Sequence, residues 1–131
     1  MKKILNIGLV GYGTVGRGVL KILEKNQLIA IRKSGVRIKV KSICDIRPID
    51  RQELYVDNYK TIIKDPEIDI VVKLIGGYEP ARTIITEALK NGKSVVTANK
   101  AVLAKYWDEI FSLAQETKQL VYFEASVGGV I

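Results

Sequence analysis

The chain contains no histidine at all. That excludes imidazole general acid–base catalysis and a histidine-rich transition-metal site within these residues. It has one cysteine, Cys44, so no internal disulfide can form. Cys44 sits in a predicted strand and reads as a small core residue. Apolar runs approaching the roughly 18 residues of a bilayer span are missing, so no membrane helix is expected. The opening Met1-Lys2-Lys3-Ile4 has a superficial leader look, but Arg17, Lys21 and a glycine turn follow it instead of a small-residue cleavage site. A cytoplasmic location is therefore expected. Repeats and low-complexity segments are also absent. So is any interleaving of aromatic side chains with a basic stripe, and no nucleic-acid partner is expected.

What is present is a chain of 131 residues, 47% of them hydrophobic, which excludes disorder and suits one domain, 1–131. The net charge of +7 comes from lysines and arginines in runs no longer than two. Such a surface reads either as solvated basic charge or as attraction for an anionic ligand.

The strongest local signal is Gly11-Tyr12-Gly13-Thr14-Val15-Gly16. An apolar run, Ile4–Val10, precedes it, and an amphipathic run from Val15 to about Ile31 follows. Strand, glycine turn and helix form the context in which G-x-G-x-x-G reads as a dinucleotide site. Gly11 permits the tight turn, Gly13 lets a pyrophosphate approach the backbone, and Gly16 allows close helix–strand packing. The helix N-terminus adds free N–H groups and partial positive charge. A purely structural turn is the competing reading.

Further along, Val36–Cys44 reads as a second strand, ending in Asp45-Ile46-Arg47-Pro48. Arg51–Tyr59 is polar and reads as a loop, and Tyr59–Lys64 as a short helix. Ile68–Ile75 is rich in β-branched residues and reads as a buried strand ending at Gly76-Gly77. Pro80 suits a first helical position, Ile84, Ile85, Ala88 and Leu89 recur at helical spacing, and Asn91-Gly92 closes that helix. Ser94–Thr97 is a short strand. Asn99-Lys100 opens a helical region whose apolar face carries Trp107, Ile110, Phe111 and Ala114, and the aromatic pair reads as core packing. Leu120–Phe123 is a fifth strand.

Strands alternating with helices predict an α/β fold, a Rossmann-type doubly wound parallel sheet in three αβα layers. Right-handed crossovers would bring Gly11, Asp45, Gly76 and Thr97 to one sheet edge, where ligands bind. Asp45 lies further along than the roughly 20 residues usual for a ribose-binding acid. It could accept from a ribose hydroxyl, Arg47 could pair with a 2′-phosphate, or both could be solvated loop charges. The sequence does not choose between NAD and NADP. Gly76 and Gly77 would let a ribose or nicotinamide lie on the backbone, or simply serve a turn. Lys100, in Thr97-Ala98-Asn99-Lys100, could stand beside a carbonyl and stabilise alkoxide charge. Equally, it could be a solvated surface lysine.

At these residues the chain resembles homoserine dehydrogenase. The likeness runs from Ile7–Gly16 through Leu74–Pro80 and Val95–Ala101 to Tyr122–Ile131, the last two segments being the most specific. It implies an NAD(P)-dependent oxidation of L-homoserine to L-aspartate 4-semialdehyde, reversible, on the route to threonine, methionine and isoleucine. It further implies that Tyr12, Thr14 and Val15 touch the cofactor. Thr97, Asn99 and Lys100 would serve the cofactor and substrate region. Glu124 would ligate a monovalent cation such as sodium, with the carbonyls of Val127, Gly129 and Ile131; hard oxygen donors suit such an ion. The family is far longer, and its second domain holds the substrate. The chain is accordingly expected to be an isolated nucleotide domain that binds cofactor weakly, turns over little substrate and self-associates as a homo-oligomer. Two alternatives stay open: the nucleotide domain of another amino-acid or semialdehyde dehydrogenase, and a non-enzymatic dinucleotide-sensing module.

Overall fold

The parallel sheet is built outward from its first strand. In the computed structural model, which describes residues 4–25, 35–74 and 81–123, β1 (Ile4–Val10) lies between β2 (Arg37–Cys44) and β4 (Ile70–Lys73). Beyond β2 comes β3 (Tyr55–Val56); beyond β4 come β5 (Ser94–Thr97) and β6 (Val121–Phe123). The order is β3-β2-β1-β4-β5-β6, all parallel. Successive strands therefore run outward from β1 on one side and from β4 on the other. The crevice above the β1 and β4 carboxyl ends is the switch point of a doubly wound sheet.

Period-two alternation sends side chains to two separate cores. Ile7, Leu9, Val40, Ile43 and Val72 pack on one face with Leu20 of α1 (Thr14–Lys25). Val10, Val71 and Val95 pack on the other with the helices α2 (Tyr59–Lys64), α3 (Ala81–Lys90) and α4 (Lys100–Lys105) and with Ile110 of α5 (Trp107–Thr117). Helix α3 is the most deeply seated. Ala81, Ile84, Ile85, Ala88 and Leu89 form a continuous buried stripe, and Gly92 at φ 76° turns the chain out of it. Each fully buried Leu or Ile contributes about 2 kcal/mol.

The sequence reading of β1, α2 and β5 matches the observed bounds. Helix α1 is described as far as Lys25; the rest of its predicted span lies outside the described residues. Among the described residues the sheet carries six strands where the sequence suggests five. The extra one, Tyr55–Val56, lies in the stretch read as loop. Two residues suffice there because Ile43 and Cys44 of β2 supply the pairing register.

The aromatic pair is a second correction. Trp107 is 53% exposed and Phe111 45% exposed; their rings stack on each other with centroids 5.3 Å apart. Only Ile110 of that helix points fully inward. Among the described residues β6 is the outermost strand on this side, and the Trp107–Phe111–Ala114 stripe lies beside it. There it lines an apolar cleft of about 410 Å³ with Leu120 and Val121.

Candidate functional site

The turn after β1 is shaped by its glycines. Gly11 sits at φ 109°, a conformation that excludes side chains, and its N–H donates to the Cys44 carbonyl at 2.8 Å. A β-carbon on Gly16 would collide with the Gly11 carbonyl oxygen, so helix α1 can start this close to the strand only without one. A β-carbon on Gly13 would meet nothing within 4 Å. The three positions thus divide into turn, packing and open approach, the division a pyrophosphate cradle needs. Thr14 opens α1 beside Gly13, and both are exposed; Val15 is half-buried.

Next to this turn lies a polar cleft of about 370 Å³, walled by Tyr12, Gly13, Thr14 and Arg17 on one side and by Asp45, Arg47, Pro48 and Ile49 on the other. Asp45 clasps the two walls together. One carboxylate oxygen accepts the Tyr12 N–H at 2.8 Å and the other accepts the Arg47 N–H at 3.0 Å. Burial works against its charge. The N–H donors of Arg47 and Tyr12 and the Arg47 guanidinium outweigh that, and the carboxyl sits below its ordinary value. The Tyr12 ring is buried, which raises its phenol, and the Arg17 guanidinium lies 4.8 Å above the ring centroid. Arg17 also pairs with Asp50 at 3.1 Å. Arg51 forks onto Glu24 of α1 at 3.0 and 3.1 Å, strapping the loop after β2 to that helix. Cys44, beneath this loop, is buried and its thiol is pushed up to about 11 by that burial. It is a core residue, not a nucleophile.

Two strands away, the end of β5 presents the other candidates. Thr97 is fully buried, and its hydroxyl accepts the Asn99 N–H at 3.1 Å. Asn99 in turn caps α4 by accepting the Val102 N–H at 3.1 Å. Thr97 and Asn99 therefore fix the turn that delivers Lys100, the exposed first residue of α4, at the carboxyl edge. With neighbouring strands about 4.8 Å apart, that edge separates the β5 turn from the glycine turn by about 10 Å. The structure thus gathers Gly11, Tyr12, Gly13, Thr14, Val15, Gly16, Asp45, Arg47, Thr97, Asn99 and Lys100 along one edge. Gly76, Gly77, Glu124, Val127, Gly129 and Ile131 lie outside the described residues. Among the described residues no group of three or more carboxylate or thiol side chains could hold a metal, and no helix is long and apolar enough to cross a membrane.

Two residues escape the sequence reading. Arg17 lines the cleft from the exposed face of α1, one turn beyond Gly13, whose carbonyl accepts its N–H. That spacing was the available signal. Lys73 ends β4 on the carboxyl edge, completely buried, and its Nζ has no hydrogen-bond partner among the described residues. Burial pulls its pKa down to about 8. A single cation closing the apolar run Ile70-Val71-Val72-Lys73 marked it.

Comparison with known proteins agrees with this geometry. The family described as "Homoserine dehydrogenase, NAD binding domain" matches residues 11–124. The homoserine dehydrogenase of Pseudomonas aeruginosa is 42% identical over 98% of this chain, which spans 31% of that protein. A homoserine dehydrogenase crystal structure from Thiobacillus denitrificans superposes with a TM-score of 0.87 at 44% identity, over 95% of this chain and 30% of the other. A hyperthermophilic archaeal homoserine dehydrogenase in complex with NADPH superposes at 0.79 with 28% identity, over 94% of this chain and 44% of the other. The chain thus spans about a third of the curated relative's length. It belongs to the homoserine dehydrogenase family and corresponds to that family's NAD-binding domain.

Proposed function

We propose that the chain binds NAD(P) across the carboxyl edge of its sheet and forms the nucleotide half of an enzyme interconverting L-homoserine and L-aspartate 4-semialdehyde. The observation that carries this reading is the glycine turn. Its middle glycine faces open space, while its outer glycines are committed to the turn and to helix packing. Gly11, Gly13 and Thr14 would hold the pyrophosphate, the α1 N-terminus would answer its charge, and the Asp45–Arg47 loop would receive the adenosine. The archaeal relative in complex with NADPH supports the same class of cofactor.

Bound NAD(P) supplies the hydride acceptor or donor. The chain's own part is to position and to stabilise. Lys100 presents an ammonium to the substrate oxygen and stabilises negative charge as it develops there. Thr97 and Asn99 hold the turn that aims it. Glu124, with the carbonyls of Val127, Gly129 and Ile131, would ligate a sodium ion. Substrate-carboxylate contacts, homo-oligomer formation and a cytoplasmic setting belong to the same proposal for the whole enzyme.

Calorimetric titration of the chain with NAD, NADH, NADP and NADPH, with and without sodium, tests it. Saturable one-site binding that Gly13→Val abolishes is the expected result. No binding of any of the four would overturn the reading. Sodium-independent binding throughout would remove the cation from it.

A further inference from the structure

A buried charge without a partner destabilises a fold, so one that is present calls for a cause outside packing. Lys73 is such a charge: its side chain is completely buried, and its Nζ has no hydrogen-bond partner among the described residues. Burial is what lowers its pKa, to about 8, which leaves it mainly protonated at neutral pH. Its place in the sheet is specific. In register, Lys73 lies between Val10 on β1 and Thr97 on β5. Val10 is the last residue before the glycine turn, and Thr97 begins the turn that delivers Lys100. Lys73 is thus rooted under the middle of the carboxyl edge, one strand spacing of about 4.8 Å from either turn. Period-two alternation puts its side chain on the face of Val10, Val71 and Val95, an apolar core that offers an ammonium nothing.

We propose that Lys73 is a buried electrostatic element of the ligand edge: a positive charge kept unmatched beneath the strand ends, which a bound dinucleotide's phosphates compensate, so that the free chain is less stable and the complex tighter. The inference rests on the nucleotide-binding reading above and adds to it a residue outside the glycine turn and its loops. A dinucleotide that runs from the Asp45–Arg47 loop towards Lys100 crosses the β1 exit and then the β4 exit, directly over Lys73. In the weakly screening interior a charge acts over a longer range than in water, so Lys73 needs no direct contact with the ligand. The glycine turn and the α1 N-terminus offer the phosphates dipoles, whereas Lys73 offers a whole charge. A lysine retained for the fold alone finds acceptors, as Lys93 does in the carbonyls of Asp65 and Ile68. Positions that break the packing rules in this way concentrate at functional sites.

The test pairs calorimetric NAD+ affinity with urea unfolding at neutral pH, for the unaltered chain, Lys73→Met and Lys90→Met. Lys90 is exposed and closes α3 away from the carboxyl edge, so its variant controls for net charge alone. Lys73→Met should unfold at higher urea and yet bind NAD+ about tenfold more weakly, the effect of one desolvated charge acting across several ångströms. Lys90→Met should bind NAD+ within about twofold of the unaltered chain. The opposed signs are the signature, because a lysine with a packing role alone would lower stability and affinity together. That result, or a Lys73→Met chain that fails to fold, would show the charge already compensated in the free chain and overturn the proposal. A loss in Lys90→Met equal to that in Lys73→Met would assign the effect to net charge and overturn it as well. If the unaltered chain binds and Lys73→Met matches it, the role of Lys73 falls and the nucleotide site stands. If the unaltered chain binds no dinucleotide, the nucleotide-site reading itself falls.

Discussion

Two buried lysines sit at opposite ends of neighbouring strands. Lys93 precedes β5 at the amino edge of the sheet, and its ammonium donates to the carbonyls of Asp65 at 2.6 Å and Ile68 at 2.8 Å. Lys73 ends β4 at the carboxyl edge, and its ammonium meets no acceptor among the described residues. The surroundings repeat the contrast. Around Lys93, Asn6 bonds the Asp69 carboxylate and the Glu67 carbonyl, and Lys41 bridges Asp65 and Glu67. Around the carboxyl edge, Arg47 and Lys100 stand exposed, and the glycine turn faces open space. The amino edge satisfies its polar groups internally and stabilises the fold. Among the described residues the carboxyl edge leaves donors and cations unmatched, which suits it to an anionic ligand.

Substitutions at the two edges sharpen this contrast. Lys93→Met strands two buried carbonyls and removes two charge-assisted hydrogen bonds, a loss of about 4 kcal/mol by urea unfolding. A loss below about 1 kcal/mol would show that the amino edge is not the staple described. Lys73→Met should act oppositely, stabilising the chain by about 3 kcal/mol at neutral pH, because a desolvated charge disappears from the interior. The sign follows from linkage. The folded lysine, at about 8, lies below its ordinary 10.5, so the unfolded chain binds more protons between those values. Stability of the unaltered chain therefore climbs from about pH 8 to 10.5 relative to Lys73→Met, and the gap between them closes over that range. A constant gap would mean that Lys73 titrates at its ordinary value in the folded chain, its charge solvated or paired.

Gly16→Ala pushes a β-carbon into the Gly11 carbonyl and should cost about 2 kcal/mol while displacing the turn. Its readout is a lower unfolding midpoint together with lost dinucleotide binding; an unchanged midpoint would show that the turn yields freely. The smallest effect is at Lys41, whose partly exposed bridge to Asp65 contributes about 1 kcal/mol. The Lys41 hydrogen bond holds the Asp65 carboxyl below its ordinary 3.8. That stabilisation is present above the ordinary value and fades as pH falls through the lowered one, so Lys41→Ala and the unaltered chain should converge in acid.

The parallel sheet and its carboxyl edge were legible because strand–turn–helix periods alternate clearly and the fingerprint glycines occupy a strand exit. The short strand Tyr55–Val56 was not, because two residues cannot display alternation. Trp107 and Phe111 looked like core because helical spacing reports a stripe without saying where the sheet ends. The place of Asp45 beside the glycine turn was legible, but its hydrogen bonds to the Tyr12 and Arg47 N–H groups were not. Whether a carboxylate faces a ribose or a backbone N–H is set by the approach of two loops distant in sequence. Arg17 was hidden for the same reason, since its partners Tyr12 and Asp50 come from both walls of the cleft.

The most direct test is a backbone amide NMR titration of the chain with NADP+. The account predicts saturating shifts at Gly11, Gly13, Thr14, Arg17 and Arg47, with Asn6, Asp69 and Ser94 at the opposite edge unmoved. Shifts confined to the amino edge, or none anywhere at saturating nucleotide, would contradict it.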